Sequence, residues 1–130
     1  MKSLRGQFYE DLVATLGGNG EKHYYSPETH GDFSVFVDDN EFLFVDEKLF
    51  SIEITNFDTA TKIPGFDFPV ETRLEKLLTI LTEKEICWEV FDKYSREHWI
   101  VVRLKQHCVL YEFEFIGETF TLRYVRLQSE

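Results

Sequence analysis

The stretch Phe33-Ser34-Val35-Phe36-Val37-Asp38-Asp39-Asn40-Glu41-Phe42-Leu43-Phe44-Val45-Asp46-Glu47-Lys48-Leu49-Phe50-Ser51-Ile52-Glu53-Ile54-Thr55 reads as three strands joined by two tight turns. Residues 33, 35 and 37 share one apolar face, Asp38-Asp39-Asn40 is turn chemistry, and Phe42-Leu43-Phe44-Val45 answers as the return strand. Asp46-Glu47-Lys48 makes the second turn. Beyond it Phe50, Ile52 and Ile54 point one way, and Ser51, Glu53 and Thr55 the other. Such a meander pairs antiparallel and leaves one face wet.

Working outward, Leu4, Phe8, Leu12 and Leu16 recur every four residues with Val13 beside them, which predicts a helix from Leu4 to Leu16. Gly17-Gly18-Asn19-Gly20 stops it, and residues 21–31 read as irregular, with Pro27 and Gly31 as breakers. After Pro64, Gly65 and Pro69, the stripe Leu74, Leu77, Leu78 and Leu81 predicts a second helix, with Asp67 as its cap. Four more strands follow: Ile86 to Phe91, Glu97 to Leu104, His107 to Phe115 and Thr119 to Leu127. In the last, Phe120, Leu122 and Tyr124 are expected to alternate with Thr121, Arg123 and Val125. The expected fold is α+β, of order α-β-β-β-α-β-β-β-β, mainly antiparallel, with the helices packed on one face. At 130 residues without repeats or linkers, residues 1–130 are expected to form a single domain.

The same stretch carries the charge. Between Glu28 and Asp67 ten acidic residues face two basic ones, Lys48 and Lys62, a net of −8 within a chain of net −10. With 43% hydrophobic and 16% aromatic residues this is a folded acidic surface, not a disordered tail. The opening Met1-Lys2-Ser3-Leu4-Arg5-Gly6-Gln7 predicts no signal peptide, and no apolar run is long enough to span a membrane. Cys87 and Cys108 then read as reduced, small buried hydrophobes in a cytoplasmic protein.

Chemistry-bearing patterns are few. His107 and Cys108, adjacent in an expected strand, point to opposite faces, so no metal site and no cofactor are expected. There is no G-x-S-x-G motif, and the 17–20 glycines follow a helix where a phosphate loop follows a strand. Asp38-Asp39-Asn40-Glu41 lacks the spacing and glycine of a calcium loop. Glu112 and Glu114 share a strand face, as paired catalytic carboxylates do, but Arg123 or Arg126 on the next strand is placed to neutralise them.

The acidic surface excludes direct nucleic-acid binding and favours a basic protein partner. The expected contact residues are Asp38, Asp39, Glu41, Asp46 and Glu47, with Tyr24 and Tyr25 and nearby Phe33, Phe57, Phe66 and Phe68 as aromatic anchors. This describes a small, acidic, non-catalytic cytoplasmic binder that inhibits or neutralises its partner. An immunity protein or antitoxin acts so, as does an inhibitor that imitates nucleic-acid charge. Acidity serving solubility alone is the plain alternative. A second is an adaptor-like dimer, because helix, three strands and helix resembles the opening of small acidic secretion chaperones, although this chain closes in strands. A third is an enzyme assembled from scattered residues such as His23, His30, His98 and Glu112. Oligomeric state is not legible.

Overall fold

β-Branched and aromatic side chains crowd residues 33–54 and 99–127, and the chain uses them as strand. A computed structural model describes residues 7–12, 21–25, 28, 30–63, 66–92 and 95–128. The chain is mainly antiparallel strand with little helix. It divides into two compact units, one ending at Asp67 and one beginning at Phe68.

The first unit holds a short helix α1 (Tyr9–Leu12) and four strands, β1 (His23–Tyr24), β2 (Phe33–Val37), β3 (Asn40–Val45) and β4 (Lys48–Ile54). A 3-10 segment, Phe57–Lys62, follows. Each strand pairs antiparallel with the next. The register sets Tyr24, Phe33, Phe44 and Leu49 in one row and Val35, Phe42 and Ile52 in another. Except for Tyr24 at the edge, these side chains are buried, and Tyr9 lays its ring against Phe33 and Phe44 at 5.5 and 5.3 Å. The opposite face carries His23, Ser34, Leu43 and Ser51 in one row and Phe36, Glu41 and Glu53 in the next.

The structure corrects three expectations in this unit. The predicted helix from Leu4 does not reach through residue 8, because Phe8 bridges to Lys48 and the Leu49 amide donates to the Gln7 carbonyl. Pairing with the start of β4 outweighs helical periodicity there, and Leu4, Val13, Leu16 and Gly17–Gly20 lie outside the described residues. The segment expected to be irregular contains the two-residue strand β1. In β4 the partner of Phe44 is Leu49 and that of Leu43 is Ser51, so Phe50 is the extra residue of a bulge. Leu49 is buried and Phe50 is 41% exposed, although Ile52 and Ile54 do face the core.

The second unit holds α2 (Leu74–Glu83) and the strands β5 (Trp88–Val90), β6 (Trp99–Leu104), β7 (Val109–Ile116) and β8 (Thr119–Gln128), paired antiparallel in the order β5-β6-β7-β8. The leucine stripe of α2 packs toward β8, with Leu77 and Leu81 fully buried and Leu74 and Leu78 half-buried. Asp67 does not cap this helix. Thr72 and Arg73 still pair with β8, through the Leu122 amide and an Arg73–Thr121 bridge, so helix cannot begin before Leu74. At the other end Glu85 takes φ +58, and the amides of Glu85 and Ile86 donate to the carbonyls of Thr82 and Leu81, a Schellman closure without glycine.

A second bulge corrects the phase expected for β8. Phe113 pairs with Leu122 and Glu112 with Tyr124, so Arg123 is the extra residue. Burial then passes from Leu122 to Val125 and Leu127. Neither cysteine is deeply buried: Cys87 is exposed and Cys108 half-buried, because both lie in connections and not in strands.

Tyr111 lies at the centre of this unit, fully buried, its hydroxyl donating to the Pro69 carbonyl at 2.8 Å. Burial pushes its phenol far above the ordinary value of 10.0. The neutral ring therefore contributes stability that is complete below pH 10 and is lost as pH rises and unfolded tyrosine ionises. Tyr111→Phe is expected to flatten this alkaline loss in urea titrations run at several pH values. The same variant should cost about 1 kcal/mol near neutrality through the lost hydrogen bond.

Candidate functional site

The acidic residues are set by the two hairpin turns of the first unit. Asp38 and Asp39, with φ +52 and +67, connect β2 to β3, and Asp46 and Glu47, with φ +52 and +65, connect β3 to β4. Positive φ at both central residues defines a type I′ turn, whose twist matches that of the strands and which favours Asn-Gly. In this chain both turns are made without glycine, at a conformational cost of about 1 kcal/mol per residue. The second turn has a glycine packed against it instead. The Gly31 backbone lies on Asp46 and Glu47, and a Cβ at Gly31 would come within 3.1 Å of the Asp46 Cα.

Successive turns of a meander fall at opposite ends of the shared strand. The predicted contact residues are therefore not one patch: Asp38 and Asp39 lie beyond one end of β3 and Asp46 and Glu47 beyond the other, and the strand between is roughly 17 Å long by its rise. Tyr24 and Tyr25 are separated as well. Tyr24 packs on Phe33 at 5.7 Å on the core face, whereas Tyr25 reaches across the other face to Ser34 and Glu41. Of the expected anchors, Phe33 and Phe66 are buried and Phe57 and Phe68 half-buried. The exposed aromatics beside Glu41 are Tyr25 and Phe36, and no local pattern singles out the second of them.

What the structure does bring together is the Asp38–Asp39 end. The buried Asn40 accepts from the amides of Thr55 and Asn56 and donates to Thr59. Thr55 and Asn56 in turn donate to the carbonyls of Asp39 and Asp38. The turn backbone is thus tied from behind, and its two aspartates are exposed. Beside it Glu41 accepts from the Ser34 hydroxyl at 2.5 Å and from Tyr25 at 3.1 Å. Partial burial of its hydroxyl and the nearby Glu41 charge hold the Tyr25 phenol above its ordinary value, against an opposing hydrogen bond from Ser34.

The second unit pairs part of its charge internally. There, ion pairs engage Glu75, Glu89, Glu112 and Glu114 with Arg73, Arg103, Lys105 and Arg123. Arg123 pairs with both Glu112 and Glu114, at 3.6 and 3.4 Å, so the two carboxylates of β7 share one guanidinium, the cross-strand pairing expected there. In the first unit two lysines turn elsewhere: Lys22 lies over the rings of Tyr9 and Phe33, and Lys48 over Phe8. Among the described residues no base forms an ion pair with Asp38, Asp39, Glu41, Asp46 or Glu47.

Two cavities accompany these surfaces. One, about 550 Å³ and open, is lined by Arg96, His98, Trp99, Glu114 and Phe115 among others. The other, about 320 Å³, lies between α1, Lys22 and the second turn. Of the scattered histidines, His23 packs on Phe36 and His30 on Tyr24, on opposite faces of the first unit's strands. Among the described residues no group of three or more His, Cys, Asp and Glu is placed to hold a metal ion, and no helix is long and apolar enough to cross a membrane. The chain matches no protein-family model, and no curated protein or solved structure is significantly similar to it.

Proposed function

We propose that this chain is a small acidic cytoplasmic protein that binds and neutralises a basic protein, without catalysis and without binding nucleic acid itself. It acts in the manner of an immunity protein, an antitoxin or an inhibitor imitating nucleic-acid charge. On this reading each helix covers one face of its own unit's strands. The observation that carries it is the exposed charge on the turns of the first unit. Glu75, Glu89, Glu112 and Glu114 of the second unit are paired internally, whereas the turn acids of the first have no ionic partner among the described residues. A surface meant only for solubility has no need of charge on a strained, tied-down turn. Asp38 and Asp39 occupy positions where Asn and Gly are more stable, and the hydrogen bonds from Thr55 and Asn56 hold them there. An uncompensated field of one sign accelerates encounter with a cationic surface and rejects anionic ones.

The double substitution Asp38→Asn with Asp39→Gly separates fold from function, because it improves the turn and removes the charge. Stability, read by urea denaturation, is expected to rise by about 0.5–1 kcal/mol. Affinity for the basic protein captured by the wild type is expected to fall about fivefold to tenfold at low salt, with a weaker salt dependence. Unchanged affinity beside raised stability would remove the electrostatic reading.

A further inference from the structure

The smaller cavity has walls and a rim of different chemistry. Phe8, Tyr9 and Phe33 present rings, and Glu10, Asp11 and Glu47 present carboxylates. Lys22 also lines it, with its Nζ 4.6 Å from the ring centroids of both Tyr9 and Phe33. Lys48 places a second ammonium 5.2 Å from the Phe8 centroid. An ammonium over two adjoining rings, in a field of carboxylates, is the chemistry by which proteins select cations over neutral groups of the same shape. Among the described residues Lys22 forms no ion pair with the rim, so the rings rather than a carboxylate hold it.

We infer that this cavity is a receptor for a lysine side chain of the basic partner, and that Lys22 is a resident stand-in which the incoming ammonium displaces. The inference rests on the proposed recognition of a basic protein and adds a second contact to it, at the Asp46–Glu47 end of β3. It gives that end a role that its distance from Asp38 and Asp39 otherwise leaves unexplained. Charge complementarity favours a cation over an apolar group: with Lys22 withdrawn, three carboxylates against the single ammonium of Lys48, and the π faces of the rings, remain. Exchange of one ammonium for another leaves the buried rings covered in both states. The resident lysine lowers apparent affinity by the fraction of time it occupies the site.

The test uses the full chain, isotope-labelled, titrated with Nα-acetyl-lysine amide and with its neutral counterpart Nα-acetyl-norleucine amide. Amide shifts of Tyr9, Phe33 and Glu47 report the cavity. Lys22→Ala, and independently Lys22→Gln should the first be poorly folded, are expected to bind the lysine probe about fivefold more tightly than the wild type. The norleucine probe is expected to bind those variants about fivefold more weakly than the lysine probe. Unmoved Tyr9 and Phe33 amides in both variants, or equal binding of the two probes, would overturn the inference. The probe does not depend on Asp38 and Asp39. Loss of protein capture with probe binding intact would therefore remove the first reading alone, and the converse would remove the cavity alone.

Discussion

Phe33→Ala is expected to cost about 3–5 kcal/mol. Phe33 has no exposed surface, stacks on Phe44 at 5.0 Å and 14°, and meets Tyr9 edge-on and Tyr24 at a tilt. Truncation removes one ring from contact with three others, and strands on either side hold the backbone, so the space cannot collapse. A cost of this size consumes much of the roughly 5–15 kcal/mol by which a domain is stable. Phe33→Leu, which keeps most of the volume, should lose less than half as much. Urea midpoints at constant slope decide it, and a loss for Phe33→Ala of under about 1 kcal/mol would contradict the packing described.

Leu77→Ala is expected to cost about 2–5 kcal/mol, and Leu78→Ala markedly less. The sequence stripe treats these neighbours alike, whereas the structure does not: Leu77 is fully buried and Leu78 half-buried. The difference arises because α2 starts only at Leu74, after Thr72 and Arg73 have paired with β8, and that start sets its rotation. Equal costs at the two positions, again by denaturation, would mean that the helix turns a different face to β8.

Much of the fold is legible in these residues, and each misreading has a physical cause. Unbroken alternation over 33–37 names β2 with its observed bounds, and the leucine spacing of 74–81 names α2. Alternation misleads in β4 and β8, where bulges at Phe50 and Arg123 shift the phase by one residue. Leu49 and Phe50 are both apolar, so the pattern can be started from either one. Only pairing with Phe44 and Leu43 chooses between them. Strand β1 is two residues long, too short to show any period.

The candidate site is half legible. Composition identifies the turn residues, but acids contiguous in sequence are not thereby contiguous in space. Turns at the two ends of one strand cannot be, and that geometry is implicit in the meander itself. The tie from Thr55 and Asn56 to the Asp38–Asp39 turn, and the seat of Lys22 over two rings, depend on long-range packing that no local pattern encodes.

The central claim is that Asp38 and Asp39 recognise a basic protein through uncompensated charge. Its most direct test is a pull-down from native lysate with the tagged wild type and with Asp38→Lys plus Asp39→Lys, each washed at low and then high salt. The wild type is expected to retain one basic protein at low salt and release it at high salt, and the double variant, compared at a temperature where urea denaturation shows it folded, is expected not to retain it. Equal retention by the variant, or retention that salt does not weaken, would contradict the claim.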